Sequence, residues 1–135
     1  MSRGIAAGGI GQYTPSIELF NVTITSVAVA SGYLHFKAPK NLLFSTIKAQ
    51  IYEKNGIISG FLEIDIKKNN TPDDTGMTSI FSIKPKTDFS TNVDYAEFTG
   101  TLSSSGVNLG QYLRLDITQI PAGFSGTIQV IAYAE

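Results

Sequence analysis

The chain is expected to be all-β: an antiparallel two-sheet β-sandwich, jelly-roll-like, of about eight strands. Three observations predict this. Hydrophobic residues make up 42% of the sequence and charged residues 16%, with Thr, Ser, Ile and Gly plentiful, whereas long amphipathic helices would need more Glu, Lys, Ala and Leu. Several stretches alternate apolar and polar residues with a period of two, and no helix-length stretch shows a period of 3.6. Finally, Gly, Pro, Asn and Asp punctuate these stretches at spacings that suit sandwiches and barrels.

At 135 residues the chain suits one domain, expected over residues 17–135 and preceded by an extended N-terminal arm over residues 1–16. The arm is Gly, Ala and small polar residues closed by Pro15, with too little side chain for a core of its own. Such a backbone becomes ordered against a partner surface, and Arg3, Ile5, Ile10 and Tyr13 are its expected contacts.

In the body, Phe20, Val22 and Ile24 alternate with Asn21 and Thr23, and the run is expected to continue into Val27 until Ser31-Gly32 breaks it. Tyr33 to Lys37 forms a second strand, ended by Ala38-Pro39-Lys40-Asn41 because proline cannot donate to a ladder. Leu42 to Phe44 reads as a connection, and Ile47, Ala49 and Ile51 as the inward face of the next strand. Asn55-Gly56 signals a reversal. Leu62, Ile64 and Ile66 against Glu63, Asp65 and Lys67 give the cleanest strand. The polar stretch from Asn69 to Gly76 is a solvent loop, Thr78 to Ile83 a strand, and Tyr95 to Leu102 another. Residues 110–120 and 126–133 read as a β-hairpin, with Leu113, Leu115 and Ile117 in the core and Arg114, Asp116 and Thr118 on a wet face.

Charge and composition exclude several functions. A net charge of −1 without a run of Lys or Arg leaves no footprint for nucleic acid or an anionic membrane, and no stretch is long and apolar enough to span one. No cysteine is present, so no disulfide, thiolate ligand or cysteine nucleophile is available. The first eleven residues are too glycine-rich for a signal peptide, which discounts the glycosylation patterns Asn21-Val22-Thr23 and Asn69-Asn70-Thr71.

No catalytic residue, cofactor site or metal site is assigned. His35 is the single histidine, and without a nucleophile motif it reads as a surface strand residue. Asp65 and Asp116, with Glu63, could in principle form a glycosidase pair, but Lys67 and Arg114 beside them suggest cross-strand ion pairs. Asp73-Asp74-Thr75-Gly76 offers oxygen ligands without EF-hand spacing and reads as a turn. Tyr33, Tyr52, Tyr95, Tyr112 and Tyr133 fall on expected strands, and outward aromatics suit subunit contact better than sugar stacking in a chain without Trp. Tyr112, Arg114, Ile131 and Tyr133 are the body residues expected at such a contact.

Leu62-Glu63-Ile64-Asp65-Ile66-Lys67-Lys68-Asn69, Thr78-Ser79-Ile80-Phe81-Ser82-Ile83-Lys84-Pro85 and Gly110-Gln111-Tyr112-Leu113-Arg114-Leu115-Asp116-Ile117, with the last apolar strand, resemble β-sandwich modules of tailed-phage virion proteins. The likeness covers roughly residues 60 to 134. Asn70 stands where those modules often have glycine, Gln111 replaces the usual aspartate, and the Asn70 to Met77 loop is longer. The resemblance implies a structural virion protein. The body carries no fibre shaft or coiled coil, so it is most similar to capsid decoration or cement proteins, which are often homotrimers bound to the major capsid protein. It implies a place on the capsid surface after synthesis in the host bacterial cytoplasm. The alternative it implies is a receptor- or glycan-binding module of a fibre or tail, meeting the host through Asn69 to Gly76 and Phe89 to Asp94.

Overall fold

The computed structural model describes residues 17–25, 27–53, 60–88, 96–103, 106–122, 124 and 126–135, apart from the side chains of Tyr52 and Glu53. The expected arm, with Arg3, Ile5, Ile10 and Tyr13, lies outside the described residues, as do the Asn55-Gly56 reversal, Tyr95 and the stretch from Phe89 to Asp94. The described chain is all-β. Its strands are β1 (Ile17–Ile24), β2 (Ala30–Lys37), β3 (Leu42–Glu53), β4 (Phe61–Asn69), β5 (Thr78–Ser79), β6 (Phe81–Ile83), β7 (Lys86–Asp88), β8 (Glu97–Thr99), β9 (Thr101–Leu102), β10 (Gly106–Val107), β11 (Tyr112–Gln119) and β12 (Thr127–Ala134).

These twelve segments gather into eight runs of chain, because β5 to β7 are pieces of one run, β8 and β9 of another, and β10 leads into β11. Sheet 1 is ordered β1-β12-β3, with β8 and β10 also pairing β3. Sheet 2 is ordered β2-β11-β4, with β5 and β7 also pairing β4. A small third sheet, β6 with β9, joins the run beside β4 to the run beside β3. Every pairing is antiparallel. Outer strands of the sequence pair with each other, β1 with β12 and β2 with β11, and the inner runs likewise, so the chain behaves as one long ribbon wrapped on itself. That is the arrangement of a jelly roll.

The core is where the alternations meet. Ile128, Val130, Ala132 and Ala134 of β12 and Ile47, Ala49 and Ile51 of β3 come from sheet 1; Leu113, Leu115 and Ile117 of β11 and Leu62, Ile64 and Ile66 of β4 come from sheet 2. Removing each of the Val, Leu and Ile side chains among them from water stabilises the fold by about 1.5–3 kcal/mol, and each alanine by less.

Three expectations are corrected. The stretches 110–120 and 126–133 do not form a hairpin: β11 pairs β2 and β4, while β12 pairs β1 and β3. Each is apolar enough to sit between two neighbours, and the chain between them is pinned to the interior by buried Pro121 and Phe124, whose N–H donates to the Pro121 carbonyl at 3.2 Å. Leu42 to Phe44 is no connection but the start of β3. A register shift opposite Tyr133 and Ala134 changes the buried positions from Leu42 and Phe44 to Ile47, Ala49 and Ile51, so the parity of the alternation switches within one strand. Finally, Ser31-Gly32 lies inside β2 instead of ending the strand before it. A register shift opposite Leu115 and Ile117 absorbs Ser31, Gly32 and Tyr33, and Gly32 takes φ +80 there.

Candidate functional site

The titratable groups gather on the outer face of sheet 2, carried there by the same alternation that sends Leu113, Leu115 and Ile117 inward. The sequence leads one to expect this face to be wet. Its centre is dry: Asp65 is 0% exposed, Asp116 3% and Arg114 6%. Irregular segments reach over it and bring partners.

Arg114 is the centre. Its Nε and Nη2 donate to the two oxygens of Asp116, both at 2.9 Å, and its Nη1 donates to Asp74 Oδ1 at 2.6 Å. The paired hydrogen bonds to Asp116 hold the guanidinium above its ordinary value, against the opposing effect of burial and with added support from Asp74. Asp116 Oδ1 also accepts the Gly32 N–H at 3.1 Å, so the bulge in β2 turns a backbone donor onto the carboxylate. A side chain at Gly32 would be strained by the positive φ and would also place its Cβ 2.9 Å from His35 Cε1.

Asp65 faces Asp116 directly across the β4–β11 ladder, and Lys67 faces Arg114. Like charge therefore stands opposite like charge, which disfavours the pairing. Compensation runs along the strand and on the diagonal: Arg114 to Asp116 within β11, and Lys67 Nζ to Asp116 Oδ2 at 3.9 Å. The directly opposed pairs are therefore not the opposite-charge ladder that composition suggests. Asp65 Oδ1 accepts the Ser79 hydroxyl at 2.5 Å, and Ser79 in turn accepts the Phe81 N–H at 3.1 Å. Asp65 Oδ2 is buried without a hydrogen bond, and Lys84 Nζ lies 3.7 Å from it. One row further on, the Thr118 hydroxyl donates to Glu63 Oε1 at 2.7 Å.

The loop after β4 is built as firmly as a strand end. Asn69 Nδ2 donates to the carbonyls of Asp73 at 3.1 Å and Thr75 at 2.9 Å, and Asp73 Oδ1 accepts the Thr75 N–H at 3.0 Å. That backbone hydrogen bond, with help from the Thr75 hydroxyl, holds the Asp73 carboxyl below its ordinary value. Gln111 donates to Asn70 Oδ1 at 2.9 Å and accepts the Asn108 N–H at 2.8 Å, so Gln111 braces the loop. Both acidic residues of the expected turn are engaged by protein donors, Asp73 by Thr75 and Asp74 by Arg114.

Sheet 1 turns a different surface outward. Its rows run Glu18–Tyr133–Thr46, Asn21–Ile131–Lys48–Thr99 and Thr23–Gln129–Gln50–Glu97. Lys48 and Glu97 pair at 3.2 Å in solvent, and Lys48 Nζ lies 6.0 Å from the centre of the Tyr133 ring. Gln129 donates to Asn21 Oδ1 at 2.6 Å. The four body residues expected at one contact are thus divided: Ile131 and Tyr133 are half-buried on the outer face of sheet 1, and Tyr112 and Arg114 belong to β11 of sheet 2. Tyr112 is half-buried under Lys37, whose Nζ is 5.5 Å from the ring centre. Arg114 is covered by the chain's own segments. His35 is exposed on β2 in register with Arg114. The alternation located Asp65, Asp116 and Arg114, whereas Ser79, Lys84, Asp74 and Gly32 are joined to them only by the tertiary fold. Compared with protein families, curated proteins and solved structures, the chain finds no match.

Proposed function

We propose that this is a structural virion protein of a tailed phage, one that decorates or cements the capsid surface through its N-terminal arm and subunit contacts, as a homotrimer on the major capsid protein. The observation that carries this reading is the contrast in what the charged and apolar groups do. Among the described residues, buried Arg114 is spent on Asp116 and Asp74, and Asp65 lies against Ser79 and Lys84, so these groups serve the fold and no catalytic role is assigned. The outer face of sheet 1 meanwhile keeps Ile131 and Tyr133 half-exposed in a setting with little net charge.

Two further facts support it. Ile17, from which residues 1–16 lead away, stands in register with Ala134, next to the Glu18–Tyr133 pair. The root of the expected arm and the row containing Tyr133 thus share one end of sheet 1, so an arm bound to a neighbour would extend a contact that begins there. The segments that resemble virion modules, on β4, on the run holding β5 and β6, on β11 and on β12, supply interior strands of both large sheets. Deleting residues 1–14 tests the reading: the body should keep its circular dichroism and melting cooperativity while losing co-sedimentation with capsids of the parent phage. Unchanged co-sedimentation would sink it. The second reading, a receptor- or glycan-binding module, draws on the braced loop from Asn69 to Gly76, which presents a fixed polar outline to solvent.

A further inference from the structure

Sheet 1 has an opening where β3 passes from one neighbour to another. β10 pairs Leu42 and Leu43, β8 pairs Lys48 to Gln50, and the bulge near Ser45 and Thr46 falls in the interval. There the run holding β8 leaves the sheet at Gly100, and β9 pairs with β6 instead. Only glycine fits at this departure, because a Cβ would lie 2.5 Å from the Ile83 carbonyl oxygen and 2.7 Å from Pro85 Cδ. The result is a cleft of about 390 Å³. It is lined by the hydroxyl residues Ser45, Thr46, Thr99 and Thr101 and by apolar Ile47, Phe81 and Leu102, of which Ile47 and Phe81 are buried and Leu102 is partly exposed.

We infer that this cleft binds a neutral saccharide, with one pyranose ring seated in it. Its size falls in the range of small-molecule sites, roughly 300–1,000 Å³. Among the described residues no charged side chain lines it, so a carboxylate, phosphate or ammonium group would lose water without gaining a counter-charge from them. A wholly apolar ligand would take water from the hydroxyls of Thr46, Thr99 and Thr101 and return no hydrogen bond. A sugar ring has the missing combination, with C–H groups for the apolar side and hydroxyls around its edge for side chains that both donate and accept. Phe81 is 6% exposed and Trp is absent, so no open aromatic platform adds stacking. Binding therefore rests on hydrogen bonds and weak dispersion, and affinity for a single ring is expected near the millimolar scale. This inference does not depend on the capsid reading, and it lies away from the loop from Asn69 to Gly76.

Titration of the ¹⁵N-labelled full chain with glucose, galactose, mannose and N-acetylglucosamine tests it, each taken to roughly 100 mM so that a millimolar site saturates. At least one sugar should shift the amide resonances of residues 45–47 and 99–102 along a saturable curve, while sodium acetate and ammonium chloride leave them in place. Thr99→Val with Thr101→Val should weaken that sugar roughly tenfold, as the loss of a hydrogen bond predicts. Thr46→Val serves as the independent variant if the pair perturbs the fold. Overturning results would be no saturable shift with any sugar, shifts confined to another surface, an equal response to acetate, or undiminished binding by folded valine variants.

Discussion

Lys48 and Glu97 lie 3.2 Å apart in solvent on the outer face of sheet 1; Arg114 and Asp116 lie 2.9 Å apart out of it on the outer face of sheet 2. Both pairs belong to antiparallel sheets of one sandwich, and both sit on positions that alternation turns away from the core. What differs is the cover. Over sheet 2, Asp74 arrives from the loop after β4, the Gly32 N–H from the bulge in β2, and Ser79 and Lys84 from the run beside β4. Nothing comparable among the described residues closes over Lys48, and water screens the pair there. A buried charge needs its partners because desolvation costs several kcal/mol per ion if left uncompensated, roughly, whereas an exposed pair contributes little. The centre of one face is therefore part of the interior, whereas Lys48 and Glu97 on the other keep their contact with water.

Breaking the covered pair should have the largest effect. Asp116→Ala leaves Arg114 buried with one exposed partner and is expected to lower unfolding free energy by about 3–5 kcal/mol, read by urea denaturation. Combining Arg114→Met with Asp116→Leu should recover much of that loss, because two apolar side chains need no counter-charge; no recovery would mean that Asp74, Lys67 and the Gly32 N–H depend on the pair more than it depends on them. Ser79→Ala, which strips the one side-chain hydrogen bond of buried Asp65 among the described residues, should cost about 1–3 kcal/mol. Gly32→Ala should cost about 1–2 kcal/mol from the positive φ alone, and His35→Ala in the same chain should relieve the added steric part. On the open face, Lys48→Ala should change stability by less than about 1 kcal/mol, and a larger loss would show that this face is not solvated as described.

The smallest effect is a local one with pH. The folded-state pKa of Asp73 is lowered below 3.8, so the bond to the Thr75 N–H contributes fully above that value and is lost as pH falls through the depressed one. The amide resonance of Thr75 should move in that acid window, while the resonances of Ile64 and Leu115, far inside, stay in place.

The sequence made the faces legible and left the partners hidden. The alternation in β4, β11 and β12 correctly separates Leu62, Leu113 and Val130 from their polar neighbours. It also records the switch in β3, where buried positions pass from Leu42 and Phe44 to Ile47 and Ala49, although a connection followed by a strand explains the same letters. Pairing is another matter. Two consecutive alternating strands suit a hairpin as well as two separate sheets, and nothing local in Ile17–Ile24 says that its neighbour is Thr127–Ala134. Whether a polar face is wet was equally illegible, because Asp116 and Glu97 look alike until a loop forty residues away and a glycine in another strand are placed over one of them. The expected split between core and surface failed at Arg114 for that reason, while Ile131 and Tyr133 remained where alternation put them.

The ribbon topology has a consequence for how the chain is made. β1 has β12 as its sheet neighbour, and β2 has β11, so the two earliest of the described strands are completed only by the two latest. Until residue 134 is free of the ribosome, Phe20 and Ile24 wait without the partners that bury them, and the edges of β1 and β2 are open to any other nascent strand. Such long-range pairing makes folding slow, and it exposes the chain to misassociation. The body is thus expected to fold in a single late step once β12 has emerged, and truncation of β12 should abolish it entirely.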